Sequence, residues 1–173
     1  MQLSIGNIKI ATPTNIRDNL SAAANAVSSA IFYPGRVMIE RITLKIPNLP
    51  HAFDGMRIAH ISDLHVDEWR KRERLVRVTR QVSALNADMI VITGDFTSNV
   101  DPEIATDLTA GLRHLRARDG VYAVLGNHDY WDDPAQVAKS VRAAGITLLD
   151  NAHIALERAD QRLYIAGIDD IYV

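Results

Sequence analysis

Cysteine is absent from the chain. Disulfides, thiolate metal sites and cysteine nucleophiles are thereby excluded, and any metal must be held by His, Asp, Glu, Asn and water. Those donors suit manganese, iron, zinc or magnesium. An excess of either charge is also lacking: 19 Lys and Arg against 21 Asp and Glu give a formal net charge of -2. The broad positive field of a dedicated nucleic-acid binder is therefore missing, and nucleic acid remains open only as a substrate. Long apolar runs are missing too. Leu20 to Phe32 is interrupted by Asn25, Ser28 and Ser29, and it falls short of the roughly 18 apolar residues of a spanning helix. With Lys9 and Arg17 before a weak, alanine-rich stretch, it does not have the pattern of a secretory signal either. It reads as a short amphipathic lead-in helix or a frayed extension. No glycine-rich phosphate loop follows the first core strand, which argues against a nucleotide-binding doubly wound domain. No repeat, low-complexity tract or linker divides the chain.

What is present is enough apolar content, 47% of 173 residues, to bury the core of one domain. Residues 1–35 read as an N-terminal extension and residues 36–173 as the domain, in partial form. Arg36 to Ile46 alternates partly and ends at Pro47-Asn48-Leu49-Pro50, the pattern of an edge strand followed by a turn. Met56 to Ser62 is a short apolar strand. From about Asp67 to Leu85, Leu75, Val78, Val82 and Leu85 recur at helical spacing, with Arg70-Lys71-Arg72-Glu73-Arg74 as a solvated helix surface. Ala87 to Thr93 is apolar on both faces, as in a covered parallel strand. Asp101-Pro102-Glu103 announces a capped helix with Leu108, Leu112 and Leu115 inward and Gly120 at its close. Val121 to Leu125 is the next strand. Asp133-Pro134 opens a helix ended by Gly145, the strand Ile146 to Leu149 follows, and Arg158-Ala159-Asp160-Gln161 turns a hairpin between His153 to Glu157 and Arg162 to Ala166. The order βαβαβαβ implies a mainly parallel sheet with ligands at the carboxyl ends of its strands.

Three short strings stand at those ends: Asp63-Leu64-His65, Gly94-Asp95 and Gly126-Asn127-His128-Asp129. Each alone is ordinary. An Asp-x-His is most often a turn or a surface pair, Gly-Asp is usually a turn, and Gly-Asn-His-Asp can be a loop with asparagine in the left-handed region. Together, in order and at crossover spacing, they specify a metal site. Asp63 and His65, two apart on an extended segment, would point to one side and share a cation. Gly94 would let the chain turn sharply so that Asp95 reaches into a crowded site, where its two oxygens can bridge two ions. Asn127 offers a neutral oxygen that adds no charge to repel phosphate. His128 can donate a proton to a leaving alkoxide, since histidine is the residue type whose unperturbed side chain titrates near neutrality, and Asp129 can orient that imidazole or cap the following turn. Two divalent ions roughly 3.5 to 4 Å apart would generate the nucleophile and clamp a phosphoryl group.

These strings, with Phe53-Asp54-Gly55-Met56-Arg57-Ile58 before them and Gly167-Ile168-Asp169-Asp170 after, resemble the calcineurin-like metallophosphoesterase family over about residues 36–171. The subgroup it looks like is bacterial, phosphodiesterase-like and often found at membranes. The resemblance implies an α/β fold, a β-sandwich flanked by helices, of which this chain is the N-terminal portion. It implies that Asp63 and His65 hold a first metal, Asp95 bridges, Asn127 holds a second and His128 assists the leaving group. The implied substrates are phosphodiesters, or the pyrophosphate of lipid precursors such as UDP-diacylglucosamine. A cytoplasmic or peripherally membrane-associated protein is the expected location. The family's later motifs, a histidine after another strand and then Gly-His-x-His, have no counterpart between His128 and Val173. The expectation is therefore a C-terminally truncated form of a longer enzyme, with a non-catalytic binding or assembly module as the alternative. Of the remaining candidates, His60 reads as packing or as a support behind the site, His51 and His114 as exposed and His153 as structural. Tyr130 and Trp131 line a pocket or form a lid over the loop, and Asp169 and Asp170 end a strand at the same edge.

Overall fold

The computed structural model describes residues 2–10, 37–67, 72–131 and 133–170. Leu20 to Phe32 lies outside them. Six strands form one sheet: β1 (Gln2–Ile10), β2 (Val37–Lys45), β3 (Arg57–Ile61), β4 (Met89–Thr93), β5 (Val121–Val124) and β6 (Thr147–Leu148), in the spatial order β2-β1-β3-β4-β5-β6. Only β2 runs antiparallel to its neighbour, and from β1 to β6 every pairing is parallel. The parallel strands are separated by α1 (Arg72–Ser83), α2 (Pro102–Leu112), the single turn α3 (Asn127–Tyr130) and α4 (Pro134–Ala143). A separate two-stranded sheet, β7 (Ala152–Arg158) with β8 (Gln161–Gly167), follows.

Strand alternation sends side chains to two different layers. Ala59, Ile61, Ile90, Ile92, Val121 and Ala123 face the helices, where they meet Leu75 and Val78 of α1, Leu108 and Leu112 of α2, and Val137 and Val141 of α4. Thr79, fully buried in α1, donates its hydroxyl to Gly111 O at 2.9 Å and joins the first two helices. On the opposite face Ile58 and Met89 pack with Leu49, Phe53 and Met56, and Leu156, Leu163 and Ile165 of the hairpin cover them. Two sheets with helices outside one of them make the expected α/β sandwich arrangement.

The hairpin turn is as its tetrad implied. Ala159 and Asp160 have φ of 45° and 62°, the pair of positive values that a two-residue turn of type I′ needs. Asp101 caps α2 by accepting the Glu103 and Ile104 amides at 2.8 Å each, and Asp133 caps α4 through Gln136 N at 3.0 Å. The edge strand is also in place, with β2 at the border of the sheet and Met38, Ile42, Leu44 and Ile46 exposed along it.

Two differences have physical causes. The residues expected to precede the domain include β1, which lies between β2 and β3 within the sheet; its central Gly6-Asn7 is poor strand sequence, and pairing on both sides overrides it. The helix expected to run to Gly120 ends at Leu112 instead. Ser83 Oγ donates to His114 O at 2.7 Å and accepts Arg116 N–H at 3.0 Å, which holds the chain in a loop after the last helical turn. Among the described residues no helix is long and apolar enough to cross a membrane.

Polar contacts at the amino ends of the strands fasten the hairpin. Arg158 binds Asp119, lies 5.0 Å over the ring of Phe53 and donates to Ala52 O, while Gln161 Oε1 accepts Ala52 N–H at 2.8 Å. Phe53 is fully buried between the hairpin and the sheet. Replacing Phe53 by Ala should destabilise the fold by about 3–5 kcal/mol, read as a lower denaturation midpoint in urea. A loss well under 1 kcal/mol would mean that the hairpin does not depend on this ring.

Candidate metal centre

The three loops after β3, β4 and β5 are joined to one another before any side chain is considered. Asp63 N–H donates to Gly94 O at 3.3 Å, His65 N–H to Asp95 O at 3.0 Å and Val66 N–H to Phe96 O at 2.8 Å. The first loop therefore runs alongside the second as a continuation of the sheet, with a parallel bridge between Val66 and Thr97. It is not the extended segment expected from the sequence. Asp63 and His65 have φ of 57° and 43°, both left-handed, with Leu64 buried between them. The two side chains converge all the same, His65 Nε2 lying 3.8 Å from Asp63 Oδ1.

Gly94 and Asp95 are also left-handed, at φ 85° and 55°. Turning is only half of what the glycine does, since a Cβ added to Gly94 would lie 2.2 Å from Gly126 N. A Cβ on Gly126 would in turn lie 2.2 Å from Asp95 Oδ1. The second and third loops can touch only because both residues lack side chains.

Asp129 locks that contact. Its carboxylate, 1% exposed, accepts Phe96 N–H at 2.8 Å and Thr97 N–H at 3.1 Å through Oδ1, and Gly126 N–H at 2.9 Å through Oδ2. Burial pushes its pKa up; the three amide hydrogen bonds oppose that shift, and the charge of Asp95 adds to it. From its sequence position Asp129 is expected to orient the His128 imidazole or cap the turn. The structure shows a carboxylate that ties two loops together while reaching back to the amide at the start of α3.

Around this scaffold the candidate side chains gather. His65 is 20% exposed at its side chain, with Nδ1 3.2 Å from Ser98 Oγ and Nε2 3.7 Å from Asp95 Oδ2. Asp95 also accepts His128 N–H through Oδ1 at 3.2 Å. The His65 and His128 rings meet edge to face at 4.7 Å. Ligand atoms of His65, Asp95 and His128 all lie within 4.8 Å of one another, a spacing that a single cation can satisfy. Asp63 joins from the solvent side, its side chain 66% exposed. Asn127 opens α3, half-buried, one residue before His128. His128 thus stands where it could share in holding a metal.

The other sequence candidates fall outside this cluster. His60 lies in β3 with Nε2 2.8 Å from Thr93 Oγ1, and burial lowers its pKa against the raising effect of Asp63. His51 is exposed, while His114 is half-buried rather than exposed. His153 is exposed on β7, its ring 5.9 Å from Tyr164. Tyr130 donates its hydroxyl to both oxygens of Asp169, at 2.6 and 2.7 Å, and burial with that carboxylate pushes its pKa to about 12. Trp131 leans on His128 at 4.1 Å yet is 69% exposed, so it does not close over the loop. Ser98 carries no signal in the sequence, where nothing links a lone serine to a histidine 33 positions earlier.

A family profile described as Calcineurin-like phosphoesterase matches residues 56–167, from the turn before β3 to the end of β8. The chain belongs to that family. It is 32% identical over 136 residues to a transmembrane protein with a metallophosphoesterase domain from Danio rerio, covering 75% of this chain and 30% of that protein. With the metallophosphoesterase YkuE of Bacillus subtilis the identity is 34% over 132 residues, covering 75% and 46%. With the UDP-2,3-diacylglucosamine pyrophosphatase LpxG of Chlamydia muridarum it is 32% over 131 residues, covering 76% and 39%. The chain thus spans less than half the length of these relatives. In this family member the Asp129 carboxylate is the cross-loop tie, and Asp129→Asn tests it. Whichever way the amide faces, its NH2 would meet a backbone N–H. The substitution should cost about 1–3 kcal/mol in the metal-free protein, measured by urea denaturation at neutral pH. An unchanged midpoint would show that the loops are held by something else.

Proposed function

We propose that the chain is the metal-binding part of a phosphoric ester hydrolase acting on phosphodiester or pyrophosphate bonds. The observation that carries this reading is the convergence of Asp63, His65 and Asp95 on one point, with the His128 ring beside them, at the carboxyl ends of the parallel strands. The donor set fits a divalent cation. Asp63 and Asp95 turn negative charge toward His65 Nε2, and an anionic phosphoester would be repelled from such a place without a cation to offset them. Imidazole and carboxylate together suit manganese, iron or zinc.

Asp63 and His65 would hold a first ion, Asp95 would bridge to a second, and Asn127 would complete the second. A divalent ion bound there supplies Lewis acidity, making water a nucleophile near neutral pH and offsetting charge on the phosphoryl oxygens. The chain's own groups do the rest. A proton on His65 Nδ1 directed to Ser98 Oγ leaves the Nε2 lone pair facing the carboxylates. Asp95 is fixed by the His128 amide, so its second oxygen cannot swing away. His128, whose ring is braced between His65 and Trp131, gives a proton to the departing oxygen as water adds to phosphorus on the opposite side and the bond to the leaving group breaks. The name of the LpxG relative states that it cleaves a pyrophosphate. Bonds of that kind, or the phosphodiester analogue, are the substrates this site would take.

Hydrolysis of bis-p-nitrophenyl phosphate with added Mn2+ tests the proposal. Asp95→Asn should lower turnover by about a hundredfold or more while leaving the melting temperature of the metal-free protein near that of the parent. Mn2+ should raise the melting temperature of the parent, because a ligand of the folded state stabilises it. A folded protein that Mn2+ neither stabilises nor activates would end the metal reading and leave a binding or assembly role. Ser98→Ala should weaken Mn2+ binding by about 10–100-fold in a calorimetric titration. Equal affinity would show that Ser98 does not orient His65.

A further inference from the structure

The turn that carries Asn127 and His128 has a fastening outside the metal centre. α3 has four residues, too few to hold a helical turn by themselves, so its shape comes from what it is tied to. Two ties lead to the loop after β4: the Asp129 carboxylate accepts the Phe96 and Thr97 amides, and His128 N–H donates to Asp95 Oδ1. A third leads to another part of the chain. Tyr130, the last residue of the turn, packs its ring against the helix-side core and donates its hydroxyl to the carboxylate of Asp169, just past the end of β8.

The receiving carboxylate is itself fixed. Asp169 N–H donates to Asn151 Oδ1 at 3.1 Å, and Asp169 Oδ1 accepts Asp170 N–H at 3.0 Å. Asn151 directly precedes β7, whose first residue, Ala152, pairs with Gly167, the last of β8. The two ends of the hairpin meet here and present one acceptor to Tyr130. Burial and the Asp169 carboxylate hold the phenol pKa at about 12, so near neutrality it is always a donor. A short turn tied to one neighbour can tilt about that contact, and a second tie to a different element removes the freedom. We propose that Tyr130 and Asp169 are a positioning pair for the metal centre, through which the base of the hairpin holds Asn127 and His128 in place beside Asp95 and His65. Neither residue is a candidate ligand; the pair acts through the backbone of α3. This rests on the hydrolase reading for the tasks of the residues positioned, and it gives the hairpin a part in that site.

The test compares Mn2+ affinity, from calorimetric titration of the full chain, with the melting temperature of the metal-free protein. Tyr130→Phe removes one hydroxyl and keeps the packed ring, Asp169→Ala removes the acceptor, and Asp169→Asn keeps an oxygen to accept the hydroxyl. Tyr130→Phe and Asp169→Ala should each weaken Mn2+ binding about tenfold. Together they should do no more than either alone, because they remove the same bond, and Asp169→Asn should recover most of the loss. Thr79→Val is the control, since it removes a buried hydroxyl with its hydrogen bond to Gly111 O in the helix layer. It should lower the melting temperature and leave Mn2+ affinity unchanged. Parental affinity in Tyr130→Phe overturns the pair, and so does an equal loss in Thr79→Val, which would make the effect one of stability alone. Weakened Mn2+ binding in the Tyr130 and Asp169 variants of a parent that does not hydrolyse bis-p-nitrophenyl phosphate keeps the pair and loses the hydrolase. An active parent that Tyr130→Phe matches in both affinity and turnover loses only the pair, and a parent that takes up no Mn2+ ends both.

Discussion

One buried carboxylate sets the geometry on which the metal centre depends. Asp129 takes amide hydrogen bonds from Phe96, Thr97 and Gly126, so the loops after β4 and β5 cannot move independently. The first loop is attached in turn to the second through backbone hydrogen bonds from Asp63, His65 and Val66. His65, Asp95 and His128 each stand on a different one of these loops, and their mutual spacing is inherited from that shared frame. A carboxylate is costly to bury, as the upward pKa shift of Asp129 records, and three amide donors offset the cost. Those amides would otherwise have no partner in a place closed to water.

The two ends of the sheet are built for different purposes. At the amino ends of the strands, charged side chains such as Arg158 and Asp119 pair with each other and with backbone, and they fasten the hairpin over Phe53. At the carboxyl ends, Asp63 and Asp95 turn toward a common point, where His65 Nε2 lies 3.8 and 3.7 Å from their carboxylate oxygens. Charges that satisfy one another belong to the frame. Carboxylates gathered with imidazole nitrogen suit a metal, and here they lie at the edge where a parallel sheet collects its ligands.

Much of this was legible in the sequence because it depends on local chemistry. Asp101 and Asp133 before proline mark helix starts, Arg158-Ala159-Asp160-Gln161 marks a hairpin, and the three polar strings after apolar runs mark the ligand edge. What was not legible depends on segments meeting in space. β1 forms despite Gly6 and Asn7 because two neighbours pair with it. Asp63 and His65 point the same way through two left-handed residues, so the convergence was foreseen while the backbone that produces it was not. Gly94 reads as a turn, but its stricter requirement is the closeness of Gly126. Ser98 carries no sequence signal at all, because its relation to His65 exists only once the first two loops are side by side.

The Gly94–Gly126 contact also bears on the order in which the chain can assemble. Phe96 and Asp129, which seal it, are separated by 33 positions, the span of a single strand–helix–strand crossover. Closing a loop of that size has a modest entropic cost, and contacts across short separations form sooner than those that must wait for distant segments. The tie between Ala52 and Gln161 spans 109 positions. The heart of the metal centre is consequently a low-contact-order unit, able to take shape around β4, α2 and β5 while the hairpin on the other face is still seeking its place.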